Sequence, residues 1–226
     1  MKKILLAALC IIGVQSSSFA QNWSAEKDSI KAKGNFFVGV GVVTTDGYNI
    51  DKKLAMANLP SLPSATPEFT FGFNGTWQKW LADVEFSGNY LQQRTGANKV
   101  NYAGASILTR VHYMPMHNEK MFLSVGADLA YTGNNVDIFN DNNVIDLNDL
   151  NPLNNGGHVS LRNEMLYAGP SASFGFLQNT EWPLRLNVGY QWALTNGKWR
   201  SDFADVTNTV KENGQGRFYA KVLLYL

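Results

Sequence analysis

Trp182-Pro183-Leu184-Arg185-Leu186-Asn187-Val188-Gly189-Tyr190-Gln191-Trp192-Ala193 decides the fold of this chain. Leu184, Leu186, Val188, Tyr190 and Trp192 alternate one for one with Arg185, Asn187, Gly189 and Gln191. A period of two places the two sets on opposite faces of a β-strand. One face suits lipid and the other a polar interior, which is how a transmembrane β-barrel is written in sequence.

The same alternation recurs before and after that stretch. It predicts strands over Asn35–Thr44, Glu68–Trp77, Trp80–Leu91, Tyr102–Met114, Met121–Thr132, Met165–Leu177 and Gly216–Leu226, eight with the one quoted. Phe69, Phe71 and Phe73 share a face in the second. In the third, Ala82, Val84, Phe86 and Tyr90 oppose Asp83, Glu85, Ser87 and Asn89. Pro170 has no N–H to give a ladder, so a bulge or local bend is expected there. The links near 75–79, 115–120 and 178–181 are short, whereas 45–67, 92–101, 133–164 and 195–215 are read as long. In an up-and-down barrel that starts in the periplasm, every short link is then periplasmic and every long one external. Trp77, Trp80, Tyr113 and Trp182 gather at the short-turn ends and Tyr90, Tyr131, Tyr190 and Trp192 toward the other rim, as amphipathic rings do at membrane interfaces.

The first residues explain how such a chain reaches a membrane. Met1-Lys2-Lys3 is basic, Ile4–Val14 is apolar and Ser18-Phe19-Ala20 is a small-x-small site, so residues 1–20 read as a cleaved signal peptide. Residues 21–33 form a polar periplasmic lead-in and 34–226 the barrel domain. The one cysteine, Cys10, lies in the leader, so neither a disulfide nor a thiolate metal site is expected in the mature chain. The 19 basic and 18 acidic side chains nearly cancel, which argues against a nucleic-acid-binding surface. The mean hydropathy of -0.19 does not exclude a membrane, because barrels dilute outward apolar residues with inward polar ones.

A secreted soluble barrel would turn the same pattern inside out. Volume separates the two cases: an eight-stranded barrel is just wide enough for side chains, and the Val, Leu, Phe and Tyr set would overfill it. The Gly- and Ser-rich set suits a narrow interior, and is unlike a soluble surface with its many Lys and Glu. The expectation is therefore an all-β, closed, antiparallel, eight-stranded transmembrane barrel.

On these residues the chain resembles the small eight-stranded outer-membrane barrels of Gram-negative bacteria, of the OmpX and OmpA transmembrane-domain type. The closing strand Arg217–Leu226 is the most specific element of that resemblance. Many members end in Phe, a cue for the assembly machinery, whereas this chain ends Leu224-Tyr225-Leu226. The leader's end, Phe19-Ala20-Gln21-Asn22, looks like those of Bacteroidota. The resemblance implies location in the outer membrane, contact with membrane lipid and lipopolysaccharide, delivery by the barrel-assembly machinery, and a monomer without cofactor.

Three candidate sites follow. Inward parity brings Asp83, Glu85 and Asp128 to face Arg110, Arg185, Arg217 and Lys221, with His112 alongside. Ionisable groups away from water must pair or find hydrogen bonds, so this set reads as a polar plug, or as the lining of a narrow pore. His112 reads as a core histidine, since no second His or Cys stands at ligand spacing. In the long loop, Asn140, Asn142, Asp146 and Asp149 crowd oxygen atoms that suit calcium, in a run resembling a degenerate EF-hand or dockerin loop. It departs from that motif where Ile138 replaces the first Asp and Asn143 the Gly, with Asp137 a potential substitute. His158-Val159-Ser160 resembles the His-x-Ser of lipid A deacylases, with Ser as nucleophile, His as base and Glu164 on the same lipid-facing parity. Leu161 stands where that family has Asn, and Glu164 lies closer than its acidic partner. The favoured function is a structural or surface-interaction barrel that presents Tyr, Phe, Trp and Asn from loops 45–67, 133–164 and 195–215 to an unidentified extracellular partner. A narrow channel and a lipid-modifying enzyme are the alternatives.

Overall fold

The computed structural model describes residues 33–142 and 158–226. The leader, residues 21–32 of the lead-in, and Asp146 and Asp149 lie outside the described residues. Eight strands close into one ring: β1 (Lys33–Thr45), β2 (Ala65–Trp77), β3 (Trp80–Thr95), β4 (Asn98–His117), β5 (Phe122–Asn140), β6 (His158–Phe176), β7 (Leu184–Ala193) and β10 (Gly216–Tyr225). Successive strands pair antiparallel, and β10 closes on β1 with Phe37 opposite Tyr225 and Thr45 opposite Arg217. Between β7 and β10, β8 (Gly197–Lys198) and β9 (Lys211–Glu212) make a small separate ladder. The helix α1 (Asp51–Met56) lies between β1 and β2.

Closure turns the alternation into an inside and an outside. Along β2, Thr66, Glu68, Thr70 and Asn74 are buried, while Phe69, Phe71 and Phe73 are 74%, 60% and 46% exposed. Val38, Val40, Val42, Val111, Val125, Leu129, Leu186 and Val222 likewise point out of the ring. A contiguous apolar exterior of this extent requires a lipid cover. Small inward residues leave room for large ones on the facing strand. A Cβ on Gly189 would stand 2.6 Å from the Tyr219 ring, so glycine is what lets Tyr219 lie across the interior.

Two prolines of the ring strands, Pro170 and Pro115, affect the ladder in different ways. At Pro170 the β5–β6 register continues unbroken, and β6–β7 pairing skips Gly169 and Pro170 between Ala168–Trp192 and Ser171–Gly189 without a shift. The expected bulge is therefore a gap in one ladder. Pro170 is exposed, with its ring on the outer face. The register shift among the ring strands lies elsewhere, between Tyr113 and Met116 of β4, where Pro115 cannot donate and one extra residue is accommodated.

The short turns are as expected, with Trp77 facing Trp80 across Gln78-Lys79. The loops differ. The segment 92–101 is almost all strand: β3 and β4 stay paired up to Thr95–Asn98 around a turn at Gly96-Ala97. Likewise β5 runs on to Asn140 and β6 begins at His158, which turns both ends of the 133–164 loop into strand. Gln92, Gln93, Arg94, Asn98, Lys99 and Asn101 are polar because, beyond the membrane, the outer face meets water instead of lipid, while the inner face turns toward loop residues where Val100 is buried. The hydropathy alternation ends there although the backbone ladder does not.

Candidate functional site

The interior is layered. At the short-turn end Leu81, Met114 and Phe122 pack together, as do Phe37, Leu223 and Tyr225. Above them β3, β4, β5, β7 and β10 converge their charges. Arg110 donates from Nε to Asp128 at 3.0 Å, from one terminal nitrogen to Asp83 at 2.8 Å, and from the other to the Tyr219 hydroxyl at 2.9 Å. Arg185 forks onto Asp83 at 2.7 and 3.1 Å, a bidentate geometry that guanidinium and carboxylate share. It also stacks on the Phe37 and Tyr225 rings. Lys221 bridges Glu85 and Glu68, each at 2.7 Å, and donates to Ser87. Asp128 further accepts from Ser171 at 2.5 Å, from Gln191, and from Tyr219. His112 sits among the hydroxyls of Ser124, Ser171 and Ser173.

All eight residues of the expected interior set lie inside the ring, but they form two tiers. Arg217 is held apart, donating to Gln191 at 2.6 Å and stacking on Tyr167 at 4.8 Å. One member was missed. Glu68 is buried and supplies a fourth carboxylate, so Glu68, Asp83, Glu85 and Asp128 balance Arg110, Arg185, Arg217 and Lys221. Its parity with Thr70 and Asn74, and the excess of four cations over three acids, were signals that pointed to it.

Two spaces flank this plug. Below it a vestibule of ≈ 770 Å³ opens at the short-turn end, lined by Asn35, Asn74, Met114, Phe122 and Tyr225 among others. Above it is a cavity of ≈ 20 Å³ bordered by Thr66, Glu68, Asn89, Tyr48, Tyr102 and Arg217. That is room for about one water molecule. The two share no lining residue. Between them Glu85, Arg110, His112 and Arg185 are at most 1% exposed.

A cap closes the long-loop end. Tyr48, Ile50, Leu54, Leu62 and Trp199 pack on Val100, Tyr102 and Val136, the inward residues of β4 and β5 above the plug. Two of the loop aromatics expected to face a partner, Tyr48 and Trp199, are thus turned inward, 6% and 2% exposed, because the tall inner wall of β4 and β5 needs an apolar cover; Phe203 stays outside. Burial pushes the Tyr48 hydroxyl well above the usual phenolic range, and the Tyr102 hydroxyl beside it adds to that. Glu212 ties the cap together. Its carboxylate accepts from the backbone N–H of Asn49 and Ile50 at 2.6 and 3.0 Å, and from Trp199 and Gln215 at 2.7 Å each.

Of the remaining candidates, the calcium set lies half outside the described residues, and the His-x-Ser set does not assemble as read. Asn140 donates to Asn98 and accepts from the Asn142 backbone, so its amide closes a turn. Among the described residues no group of three or more His, Cys, Asp and Glu is placed to hold a metal ion. His158 stacks on Phe139 and contacts Asp137 at 3.3 Å; it makes no hydrogen bond to Ser160, which lies opposite Asp137. Glu164 pairs with Gly133, six residues along β6 from His158. At about 3.3 Å per residue that separation is too long for it to orient the imidazole.

No family model matches the chain. No curated protein matches its sequence. Solved structures do. A major outer membrane protein from Thermus thermophilus is similar with a TM-score of 0.51 at 7% identity, over 85% of this chain and 99% of that one. The attachment invasion locus protein Ail of Yersinia pestis gives 0.48 at 9% identity, covering 85% and 97%. OprG from Pseudomonas aeruginosa gives 0.44 at 13% identity, covering 85% and 96%. At 7% identity the likeness to the Thermus protein is one of fold, and the fold is that of an outer-membrane β-barrel.

Proposed function

We propose that the protein is exported to the outer membrane and works there, as a monomer, in a structural and surface-interaction role. The observation that carries this reading is an asymmetry of the ring. β3, β4, β5 and β6 have 16, 20, 19 and 19 residues, against 13 or 10 for the other four. Twenty residues at about 3.4 Å each, tilted by about 45°, rise roughly 48 Å, well beyond an apolar band of about 25 Å. The surplus is a four-stranded sheet that stands above the lipid.

One margin of that sheet is open. β2 pairs with β3 only as far as Gly88, so Asn89–Thr95 are paired with β4 on one side and with no strand on the other. Unpaired N–H and C=O groups on a strand edge are a template for an extended segment of another chain. The charge-balanced, close-packed interior supports a plugged barrel over a conducting one. For the test, cells displaying the protein are compared with cells displaying a version in which residues 89–100 are replaced by a short turn, both checked for heat-dependent gel migration. The intact protein is expected to confer retention of cell-surface or envelope components that the shortened one loses. Equal retention, or open-channel currents from the intact protein in planar bilayers, would reject the reading.

A further inference from the structure

Outside the ring, just above the aromatic rim, two arginines are fixed side by side. Arg162 of β6 and Arg200 of the 194–215 segment exchange both backbone hydrogen bonds, at 2.7 and 2.9 Å. Such an antiparallel pair holds its Cα atoms about 5.5 Å apart with both side chains on one face. That face is the outer one, because the adjacent Asn163 and Trp199 are buried inward. Like charges directly opposite each other weaken a sheet.

The nearby acids do not cancel the pair. Asp202 contacts Arg162 at 3.1 Å with both side chains about half exposed. Asp137 contacts His158. Glu164, the next outward residue down β6, makes no ion pair with either arginine, and among the described residues Arg200 makes none at all. Asn135 lies directly across from Arg162 and adds an amide.

Below Glu164, which meets the Tyr131 hydroxyl, the surface becomes apolar. Tyr131 pairs with Leu166, the Leu194 N–H donates to the Leu166 carbonyl, and Trp192 pairs with Ala168; Leu194 and Trp192 are more than half exposed. From Leu166 to Arg162 is four residues, or about 10 Å of height on a strand tilted by about 45°. The arginines therefore stand where lipid headgroups lie if the aromatic rim marks the interface.

We propose that Arg162 and Arg200 clamp the phosphate of a membrane lipid whose acyl chains run down past Tyr131, Leu194 and Trp192. Guanidinium forks match phosphate oxygens, and one shared anion removes the repulsion between the two. The site rests on the outer-membrane reading above.

The full chain, folded in detergent, is titrated with phosphatidic acid and with phosphatidylcholine, and bound lipid is counted by native mass spectrometry. Phosphatidic acid is expected to bind about tenfold more tightly, the equivalent of one charge-assisted contact. Arg162→Gln with Arg200→Gln abolishes the preference, and Arg94→Gln, near the turn between β3 and β4 and with no second arginine opposite it, leaves it intact. Heat-dependent migration confirms that each variant folds; Arg200→Gln alone, at an exposed position without an ion pair, serves if the double variant does not. An unchanged preference in the arginine variants overturns the proposal. So does displacement of the lipid by inorganic phosphate at equal concentration, which would indicate a plain anion site. Loss of heat-dependent migration in the unaltered protein would instead sink the membrane reading, and the clamp with it.

Discussion

Replacing Arg110 by Met tests how the interior is held together. Arg110 touches Asp83, Glu85, Asp128 and Tyr219, and no part of its side chain is exposed. Its loss leaves four buried carboxylates facing three cations. The cost is not shared evenly. Asp83 keeps the Arg185 fork and Asn74, and Glu85 keeps Lys221 and Ser87. Asp128 loses its one ion-pair partner and keeps only hydrogen bonds from Ser171, Gln191 and Tyr219. Removing one member of a buried pair costs about 3–5 kcal/mol, most of it from the stranded charge. Arg110→Met should therefore destabilise by that amount, and a second change, Asp128→Asn, should return about half or more of it. Asp83→Asn in the same background should not help, because it strands Arg185 in turn. Urea titration of the protein folded into lipid vesicles, followed by tryptophan fluorescence, gives the three free energies as a double-mutant comparison. Equal effects of Asp128→Asn and Asp83→Asn, or a cost below about 1 kcal/mol for Arg110→Met, would refute the assignment of Asp128 as the dependent charge.

Phe71→Arg places a charge in the middle of the outward apolar face and should destabilise the folded barrel in vesicles by about 2–4 kcal/mol, read from the same titration. Glu212→Ala removes the acceptor of four hydrogen bonds in the cap; limited proteolysis should cut within 194–215 faster while the urea midpoint of the barrel stays put. The cap should also loosen in alkali. Tyr48 binds its proton more tightly folded than unfolded, so its contribution is complete below the unfolded value of about 10 and falls as pH rises through the higher folded one. Protease resistance of residues 46–64 is expected to hold to about pH 10 and fall above it, with Tyr48→Phe making that fall smaller.

How far each part was legible in the sequence depended on what each face of the chain touches. In the membrane one face meets lipid and the other meets the plug, so Leu184 to Trp192 or Phe69 to Phe73 declare both strand and side. Above it the outer face meets water and the inner face meets the cap at Val100, so the alternation lapses and Gln92 to Asn101 look like a loop although they form a hairpin. The plug was largely readable because inward parity assigns charge strand by strand, and Glu68 was recoverable from the imbalance it corrects. Tyr219, Gln191 and Ser171 were on the inward face but gave no sign of partnership, since which strands face each other across a closed ring is not written in a local pattern. The cap was not legible at all. Tyr48, Ile50, Leu54 and Trp199 are apolar without a period, and their shared core with Val100 and Val136 depends on the height of β4 and β5, which the same loss of alternation conceals.

The plug and the tall sheet are connected by more than adjacency. β4 and β5 each bring a plug residue, Arg110 and Asp128, and these two stand directly opposite each other in the ladder that continues upward into the sheet. Asp83 of β3 is opposite Arg110 on the other side. The ion pairs therefore fix the register of β3, β4 and β5 inside the membrane, where a slip by one residue would drive these charges into lipid. Above the membrane the same strands lack a strict hydrophobic pattern to set their register, and polar, two-faced strands are prone to slippage. An interior closed by charge thus serves the exterior: the pairs that seal the barrel also hold the open edge of Asn89–Thr95 and the Arg162–Arg200 pair at fixed heights above the lipid. Weakening Arg110 should accordingly be felt in the hydrogen-exchange protection of residues 89–101, far from the substituted side chain, and protection there that is indifferent to Arg110→Met would separate the two functions of the strands.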